Sequence, residues 1–215
     1  MKFYLASLFP EVFDQLLSSS MLLKAKKLGI FDYQFINIRD FGLGPRKQVD
    51  DVPYGGGDGM VLKPEPIITL IHQIKTLELN LSVILPSPRG KTYLQSEAIR
   101  LSQSKTNYLI ICPKYEGYDE RITHYVDEVF SIGNYVLTGG EIPAMIIVDS
   151  VIRLLPGVLG GDSSSLDESF QLDDKTKEYP QYTRPIEYDG LKVPRVLLSG
   201  DHQAINHWRN QHKIS

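Results

Sequence analysis

The sequence predicts an α/β protein with a mostly parallel central sheet flanked by helices. Short apolar segments of strand length alternate with longer segments whose apolar residues recur at helical spacing. At 215 residues the chain is long enough to bury a sizeable core in one domain with a small appendage. Strands that alternate with helices are typical of layered folds in which crossover helices cover a parallel sheet.

The first half of the chain predicts three strands and three helices. Pro10 ends the first strand, because proline cannot donate a backbone hydrogen bond. The clearest helical periodicity lies at 66–77, where four residues share one face: Ile67, Leu70, Ile71 and Ile74. In chain order the pattern predicts a strand at 2–9, helices at 11–17 and 18–29, a strand at 31–36, a long loop at 40–60, a helix at 66–77 and a strand at 81–85.

The second half continues the alternation and then becomes polar. The pattern predicts helices at 93–101, 118–126, 141–155 and 201–212, and strands at 108–112, 129–132 and 193–198. Residues 161–178 are rich in Ser and Asp and nearly free of large apolar side chains, which is typical of a mobile linker.

Three loops follow predicted strand ends, at 86–90, 113–118 and 133–140, and all are rich in Gly, Pro, Ser and Tyr. Ligands of parallel sheets bind beyond the carboxyl ends of the strands. We therefore expect the three loops to converge on one pocket.

Composition excludes several classes of protein. The single cysteine, Cys112, lies in an apolar segment and is predicted to be a buried core thiol, so a disulfide framework or a cysteine-based zinc site within one chain is excluded. No segment reaches 18 apolar residues, and no apolar run follows a basic start. We expect a cytoplasmic protein without a membrane span.

Charge is unevenly distributed along the chain. The net charge of −3 argues mildly against a nucleic-acid partner. Residues 24–47, however, hold six basic against two acidic side chains, and residues 162–178 hold six acidic against two basic ones. The basic segment is compatible with a phosphate-contact surface, and equally with a solvated helix face.

The stretch 131–145 combines three glycines with small residues between a predicted strand and a predicted helix. Gly133, Gly139 and Gly140 lack Cβ atoms, so a flat, mostly uncharged ligand such as a nucleoside can lie against their backbone. The spacing is neither that of a dinucleotide fingerprint nor that of a P-loop. The spacing alone leaves open an ordinary turn that starts a helix.

Four segments in order carry a family resemblance: Val49–Met60 (VDDVPYGGGDGM), Tyr115–Arg121 (YEGYDER), Ser131–Met145 (SIGNYVLTGGEIPAM) and Tyr182–Pro185 (YTRP). Together they resemble the bacterial tRNA (guanine-N1)-methyltransferases of the TrmD type, in the SPOUT superfamily. The resemblance covers residues 1 to about 209, nearly the whole chain.

The resemblance implies a deep C-terminal trefoil knot in the sheet and S-adenosyl-L-methionine as the cofactor bound in that knot. No metal-binding residues are implied, and the use of Mg²⁺ is left open because the sequence does not reveal it. Carried over by position, the cofactor-binding residues are Ser87, Pro88, Tyr115, Ser131, Ile132, Gly133, Tyr135, Leu137, Gly139 and Gly140.

The resemblance also implies methyl transfer to N1 of the guanine immediately 3′ of the anticodon in tRNA. Such a site needs a base at N1 and a positive group near O6, where charge accumulates. By position Arg153 matches the arginine at O6, although a salt bridge on a helix face is the structural alternative. Glu168 matches the base, with Asp167 in its place if the segment shifts by one residue, and Glu116 matches a supporting acid.

Some features depart from the family pattern. Cys112-Pro113-Lys114 stands where the family usually has Cys-Gly-Arg, and Asp167-Glu168 reverses the usual order of the two acids. The resemblance divides the chain into a knotted cofactor-binding domain at 1–160, a flexible linker at 161–178 and a shortened tRNA-contacting domain at 179–215. We expect the short C-terminal part to weaken tRNA binding.

Three interpretations follow from these features. The first is a homodimeric methyltransferase whose active site takes the knot from one subunit and the linker from the other. The second is a catalytically weakened homodimer that binds the cofactor or RNA, in which the linker acids are only solvated. The third is a SPOUT methyltransferase with another RNA target.

Overall fold

A computed structural model describes residues 1–18, 20–159, 168–170 and 173–214. The chain divides into two units, Met1–Gly160 and Gly161–Ser215. The α-helices and strands of the first unit are β1 (Lys2–Ser7), α1 (Asp14–Leu17), α2 (Ser20–Lys27), β2 (Asp32–Asn37), β3 (Asp50–Asp51), β4 (Val61–Leu62), α3 (Pro64–Leu77), β5 (Leu81–Thr92), α4 (Gln95–Gln103), β6 (Asn107–Ile111), β7 (Glu128–Ser131) and α5 (Glu141–Ile152).

The first unit is built on a five-stranded sheet with the order β2-β1-β6-β5-β7. Every neighbouring pair in this sheet is parallel. Parallel neighbours need long crossover connections, and the helices between the strands supply them. The predicted α/β architecture with a mostly parallel sheet flanked by helices is confirmed.

Both faces of the sheet are buried, and neighbouring residues of a strand face opposite ways. Phe3 and Leu5 of β1 belong to one apolar cluster, which includes the buried side of α5. Tyr4 and Ala6 belong to the other cluster, which includes the four residues predicted to share one face of α3. Cys112 is fully buried in the first cluster, as the sequence predicted.

β5 is longer than the strand predicted at 81–85. It pairs with β7 through Pro86, and pairing resumes at Lys91 after a shift in register. The residues between these points form an irregularity of the kind that bends a strand and re-aims its side chains. The predicted loop at 86–90 is therefore an insertion within a strand.

The predicted helix at 118–126 is a 3₁₀ helix, Glu120–Tyr125. The Asp119 side chain accepts a hydrogen bond from the Arg121 backbone N–H, and the Thr123 hydroxyl donates to the Glu120 carbonyl at 2.7 Å. These local bonds compete with the α-helical pattern.

The second unit contains β8 (Glu187–Tyr188), β9 (Leu191–Lys192), a 3₁₀ helix (Arg195–Leu198) and α6 (His202–Gln211). The predicted strand at 193–198 is wrong, because Pro194 has no N–H to donate and starts the 3₁₀ helix instead. The hairpin of β8 and β9 turns at Asp189 and Gly190, both at positive φ. Asp-Gly is a strong hairpin signal that the sequence analysis overlooked.

Candidate functional site

A cavity of about 190 Å³ lies where three segments of the first unit meet. The segments are the irregular part of β5, the loop after β6 and the loop between β7 and α5. Its lining residues are Pro86, Ser87, Pro88, Pro113, Lys114, Tyr115, Glu116, Gly117, Phe130, Ser131, Ile132, Gly133, Tyr135, Val136, Leu137, Gly139, Gly140 and Pro143. The predicted convergence of the three loops on one pocket is confirmed.

β5 turns toward the cavity at its register shift. A Cβ added to Gly90 would lie 2.5 Å from the Val129 carbonyl oxygen, so a glycine is needed for the two backbones to approach. Ser87 is buried, and its hydroxyl accepts a hydrogen bond from the Arg89 backbone N–H at 3.3 Å. The shift thus presents Ser87 and Pro88 to the cavity.

The loop after β6 forms a tight turn at the cavity wall. Tyr115 has φ of 63°, a left-handed conformation that is uncommon outside glycine, and the Gly117 N–H donates to the Lys114 carbonyl at 3.1 Å. The Glu116 N–H donates to the Met60 carbonyl at 3.0 Å, which ties this loop to the glycine-rich segment before β4. A Cβ on Gly59 would lie 2.6 Å from Cγ of Glu116, so this glycine leaves room for the Glu116 side chain.

The loop between β7 and α5 packs its backbone against the loop after β6. The Gly140 N–H donates to the Pro113 carbonyl at 2.7 Å. A Cβ on Gly140 would lie 2.7 Å from both the Cys112 Cα and the Pro113 nitrogen. The close approach of the two loops therefore requires glycine at this position.

Tyr135 folds back over the start of the same loop. Its hydroxyl donates to the Ile132 carbonyl at 3.1 Å, and a Cβ on Gly133 would lie 2.4 Å from the tyrosine ring. Gly133 has φ of 147°, which L side chains rarely adopt. The walls of the cavity are thus largely main chain, proline rings and apolar side chains.

Charged groups lie at one side of the cavity. Glu141, the first residue of α5, is buried, and its Oε1 accepts a hydrogen bond from the buried Ser7 hydroxyl at 2.7 Å. Its Oε2 lies 3.8 Å from Nζ of the cavity-lining Lys114. Burial, and secondarily the charge of Glu141, raise the pKa of the Cys112 thiol well above its usual value, so this thiol is protonated at neutral pH.

The structure brings some predicted site residues together and leaves others apart. All ten predicted cofactor-binding residues and Glu116 line the cavity, while their binding roles stay predictions. Arg153 is half-buried directly after α5 and is not among the lining residues. Glu168 is half-buried in the second unit, whereas Asp167 lies outside the described residues.

Seven lining residues were not predicted: Pro86, Pro113, Lys114, Gly117, Phe130, Val136 and Pro143. Five of them lie within the three loops that were predicted to converge on the pocket, at 86–90, 113–118 and 133–140, although they were not named individually as site residues. Pro143 lies in the first turn of α5 and Phe130 within β7. Their contribution depends on how the elements pack, which no local pattern indicates.

The described residues show neither a metal-ion cluster nor a membrane-spanning helix. Within the described ranges, no three His, Cys, Asp or Glu side chains cluster so as to hold a metal ion. None of the helices in those ranges is both long and apolar enough to cross a membrane.

Comparison with known proteins gives one family. The family described as tRNA (Guanine-1)-methyltransferase TrmD matches residues 1–215. A tRNA (guanine-N(1)-)-methyltransferase of Geobacillus kaustophilus is 48% identical over 216 residues, which is 100% of this chain and 87% of that protein. A protein of the same name from Staphylococcus epidermidis is 48% identical over 215 residues, which is 100% of this chain and 86% of that protein.

A solved structure resembles the whole fold as well. It is the crystal structure of the tRNA (m1G37) methyltransferase from Aquifex aeolicus, with a TM-score of 0.81 and 39% sequence identity. The match covers 99% of this chain and 88% of that chain.

Proposed function

Because the chain belongs to the tRNA (guanine-1)-methyltransferase TrmD family, which matches it over its whole length, we propose that it methylates N1 of the guanine immediately 3′ of the anticodon in tRNA. The methyl donor is S-adenosyl-L-methionine, as the family implies. The cavity between the three loops is the observation that supports binding of this donor in that part of the chain.

The residues around the cavity fit the nucleoside part of this donor. A flat, mostly uncharged ring needs apolar faces and main-chain hydrogen bonds at its edges. Pro88, Ile132 and Leu137 offer apolar surface, and the glycine positions leave backbone accessible where a Cβ would intrude. When bound, S-adenosyl-L-methionine supplies an electrophilic methyl group on a positively charged sulfur.

The acceptor needs a base, because N1 of guanine carries a proton and is a poor nucleophile until that proton leaves. We assign this role to Glu168, or to Asp167 if the segment is shifted by one residue. Loss of the proton moves negative charge toward O6, and the Arg153 guanidinium would stabilise it there. Glu116, which lines the cavity, would support the site as an acid near the cofactor.

We propose a homodimer in which each active site takes the cavity and Arg153 from one copy and Glu168 from the other. The support is an apolar surface on α5: Ile142 is 58% exposed and Ile146, one helical turn later, is 40% exposed. Large apolar side chains that lie next to one another on a protein surface are typical of an interaction site. A second copy that covers this surface would bury both isoleucines.

A mixing experiment tests the shared site. Arg153→Ala and Glu168→Gln should each lose most of the methyl-transfer activity as homodimers. If the site spans two copies, mixing the two variants after subunit exchange restores methyl transfer, because each mixed dimer has one intact site. If both groups come from the same copy, the mixture stays inactive.

Two finer features follow from family membership as proposals. The first is that the C-terminal part of the sheet forms the trefoil knot. The hydrogen bond between the Gly140 and Pro113 backbones is compatible with such a knot, because it holds two of its loops close together. Residues 161–178 would link the cofactor domain to a tRNA-contacting domain at 179–215. The exposed basic side chains of Arg46 and Lys47 would contact phosphates.

Single-turnover methyl transfer to an unmodified tRNA tests the proposed function, followed by mapping of the methylated nucleoside. We expect N1-methylguanosine at the position immediately 3′ of the anticodon. Binding of cofactor and tRNA without transfer would instead identify a catalytically weakened protein. Transfer to ribosomal RNA but not to tRNA would identify another RNA target.

A further inference from the structure

Glu141 is a buried carboxylate to which the proposed mechanism gives no role. It lies behind the cavity wall at the start of α5, held by the Ser7 hydroxyl. Ser7 itself is fully buried, and its Oγ also accepts a hydrogen bond from the Phe9 N–H at 2.9 Å. A buried carboxylate costs free energy unless it is hydrogen-bonded and paired with a positive charge.

Glu141 does not line the cavity itself, but it lies next to Lys114, which does. Nζ of Lys114 lies 3.8 Å from Oε2 of Glu141, beyond an ideal hydrogen bond. The same ammonium would lie 3.0 Å from a Cβ on Gly139, another lining residue. The pair therefore places one positive and one negative charge at the same part of the wall.

Within the described residues, the charged side chains of the cavity lining and Glu141 behind it sum to a net negative value. Among the lining residues that the structure describes, the charged ones are Lys114 and Glu116. With Glu141 behind the wall, two carboxylates face one ammonium. The nearby Arg89 is paired with Glu120 and adds no net charge.

We propose that Glu141 offsets the Lys114 ammonium and thereby makes the cavity favour the cationic methyl donor over its uncharged product. The inference rests on the proposed binding of S-adenosyl-L-methionine in this cavity. The donor carries a net charge of +1 from its sulfonium, ammonium and carboxylate groups, whereas S-adenosylhomocysteine carries a neutral sulfur and no net charge. An uncompensated Lys114 would repel the donor and leave the product almost unaffected.

The experiment measures dissociation constants of both ligands by calorimetry and compares their ratio among variants. Glu141→Gln keeps the side-chain shape but removes the negative charge, and should shift the ratio about tenfold toward the product. Lys114→Met removes the positive charge, and should shift the ratio in the opposite direction. The double variant restores the net charge of the cavity, so its ratio should return close to that of the unaltered protein.

The ratio separates an electrostatic role from a structural one. A variant that only loosens the loops weakens the binding of both ligands alike, because the two ligands share the adenosine group and the amino-acid chain. Glu97→Gln is the matched control, since Glu97 is a buried carboxylate paired with Lys91 and Arg100 outside the cavity lining. It should leave the ratio unchanged.

Two results have distinct meanings. If the unaltered protein binds both ligands but neither single variant changes the ratio by more than about twofold, the charge inference is overturned while the proposed function stands. If the unaltered protein binds neither ligand, the proposed function fails first. If the Glu141→Gln variant does not fold, the Lys114→Met variant alone tests the charge inference, because it leaves the hydrogen bond between Ser7 and Glu141 in place.

Discussion

The two units of the chain start their principal helices in different ways. α5 in the first unit is preceded by Gly140, which has no side chain to cap the helix and packs closely against Pro113. α6 in the second unit is preceded by Asp201, whose Oδ1 accepts hydrogen bonds from the backbone N–H groups of Gln203 at 3.0 Å and Ala204 at 3.1 Å. The first helix start is shaped by packing, and the second by a side chain.

The same difference extends over each unit. The first unit buries both faces of its sheet and builds its cavity largely from tightly packed backbone. In the second unit, no residue within 168–170 and 173–214 is buried. The Trp208 ring contacts the rings of Tyr179, Tyr182 and His212. Substitutions should therefore act sterically on the cavity, and through the chemistry of single side chains in the second unit.

The largest effect is expected at the backbone-built wall. Gly140→Val places atoms where the Cys112 and Pro113 backbones already lie, so the two loops must separate. We expect cofactor binding to be lost in calorimetry, and the free energy of unfolding to fall by about 1–3 kcal/mol as for other overpacked sites.

A matched control separates lost binding from lost stability. Ile74→Ala removes a buried side chain from the cluster that includes α3 and should cost about 2–5 kcal/mol. It lies outside the cavity lining, so cofactor affinity should persist while the protein remains folded. Undiminished binding by Gly140→Val would show that the donor binds elsewhere.

The next largest effect is expected in the second unit, where one carboxylate is proposed to be the general base. Glu168→Gln should lower single-turnover methyl transfer by about 10²-fold or more, the usual scale for a lost general base. Cofactor affinity should stay unchanged, because the cavity belongs to the first unit. Asp167→Asn should have a smaller effect. The reverse order would identify Asp167 as the base.

Arg153 tests whether side-chain chemistry also matters in the first unit. Lysine keeps the positive charge but loses the planar array of donors, so Arg153→Lys should lower single-turnover transfer by about 10-fold to 10²-fold. Cofactor affinity should not change. Arg100→Lys is the control, since Arg100 is exposed and pairs with Glu97 and Glu128 outside the cavity lining. Equal effects of the two substitutions would contradict a catalytic role for Arg153.

Much of the fold could be predicted because its signals are local. The faces of α3 and the strands of the parallel sheet follow from periodicity. The extension of β5 past Pro86 could not be predicted, since pairing resumes at Lys91 only where β7 is available as a neighbour. The hairpin at Asp189 and Gly190 was a local signal that went unused.

The site divides in the same way. Glycines 133, 139 and 140 led to the prediction that a ligand lies against their backbone, which stays a prediction. The close packing of Gly140 against Pro113 is a separate feature that only the structure shows. The ion pair of Lys114 with Glu141 could not be predicted, because it joins the loop after β6 to the first turn of α5 through tertiary packing. Sequence patterns thus identified which loops form the cavity, but not which charges they bring together.

The smallest expected effect tests whether a change in the second unit stays local. Asp201→Ala removes the side-chain cap of α6, which should cost about 1 kcal/mol of helix stability. Hydrogen exchange of the α6 backbone amides should therefore become about fivefold faster, because that free energy shifts the local opening equilibrium. Asp201→Asn is the control, since its amide oxygen can still accept the hydrogen bonds from Gln203 and Ala204. Cofactor affinity should be the same in both variants, because no residue of α6 lines the cavity. A fall in affinity in the alanine variant alone would show that the order of α6 supports the cavity, and the contrast between the two units would then fail.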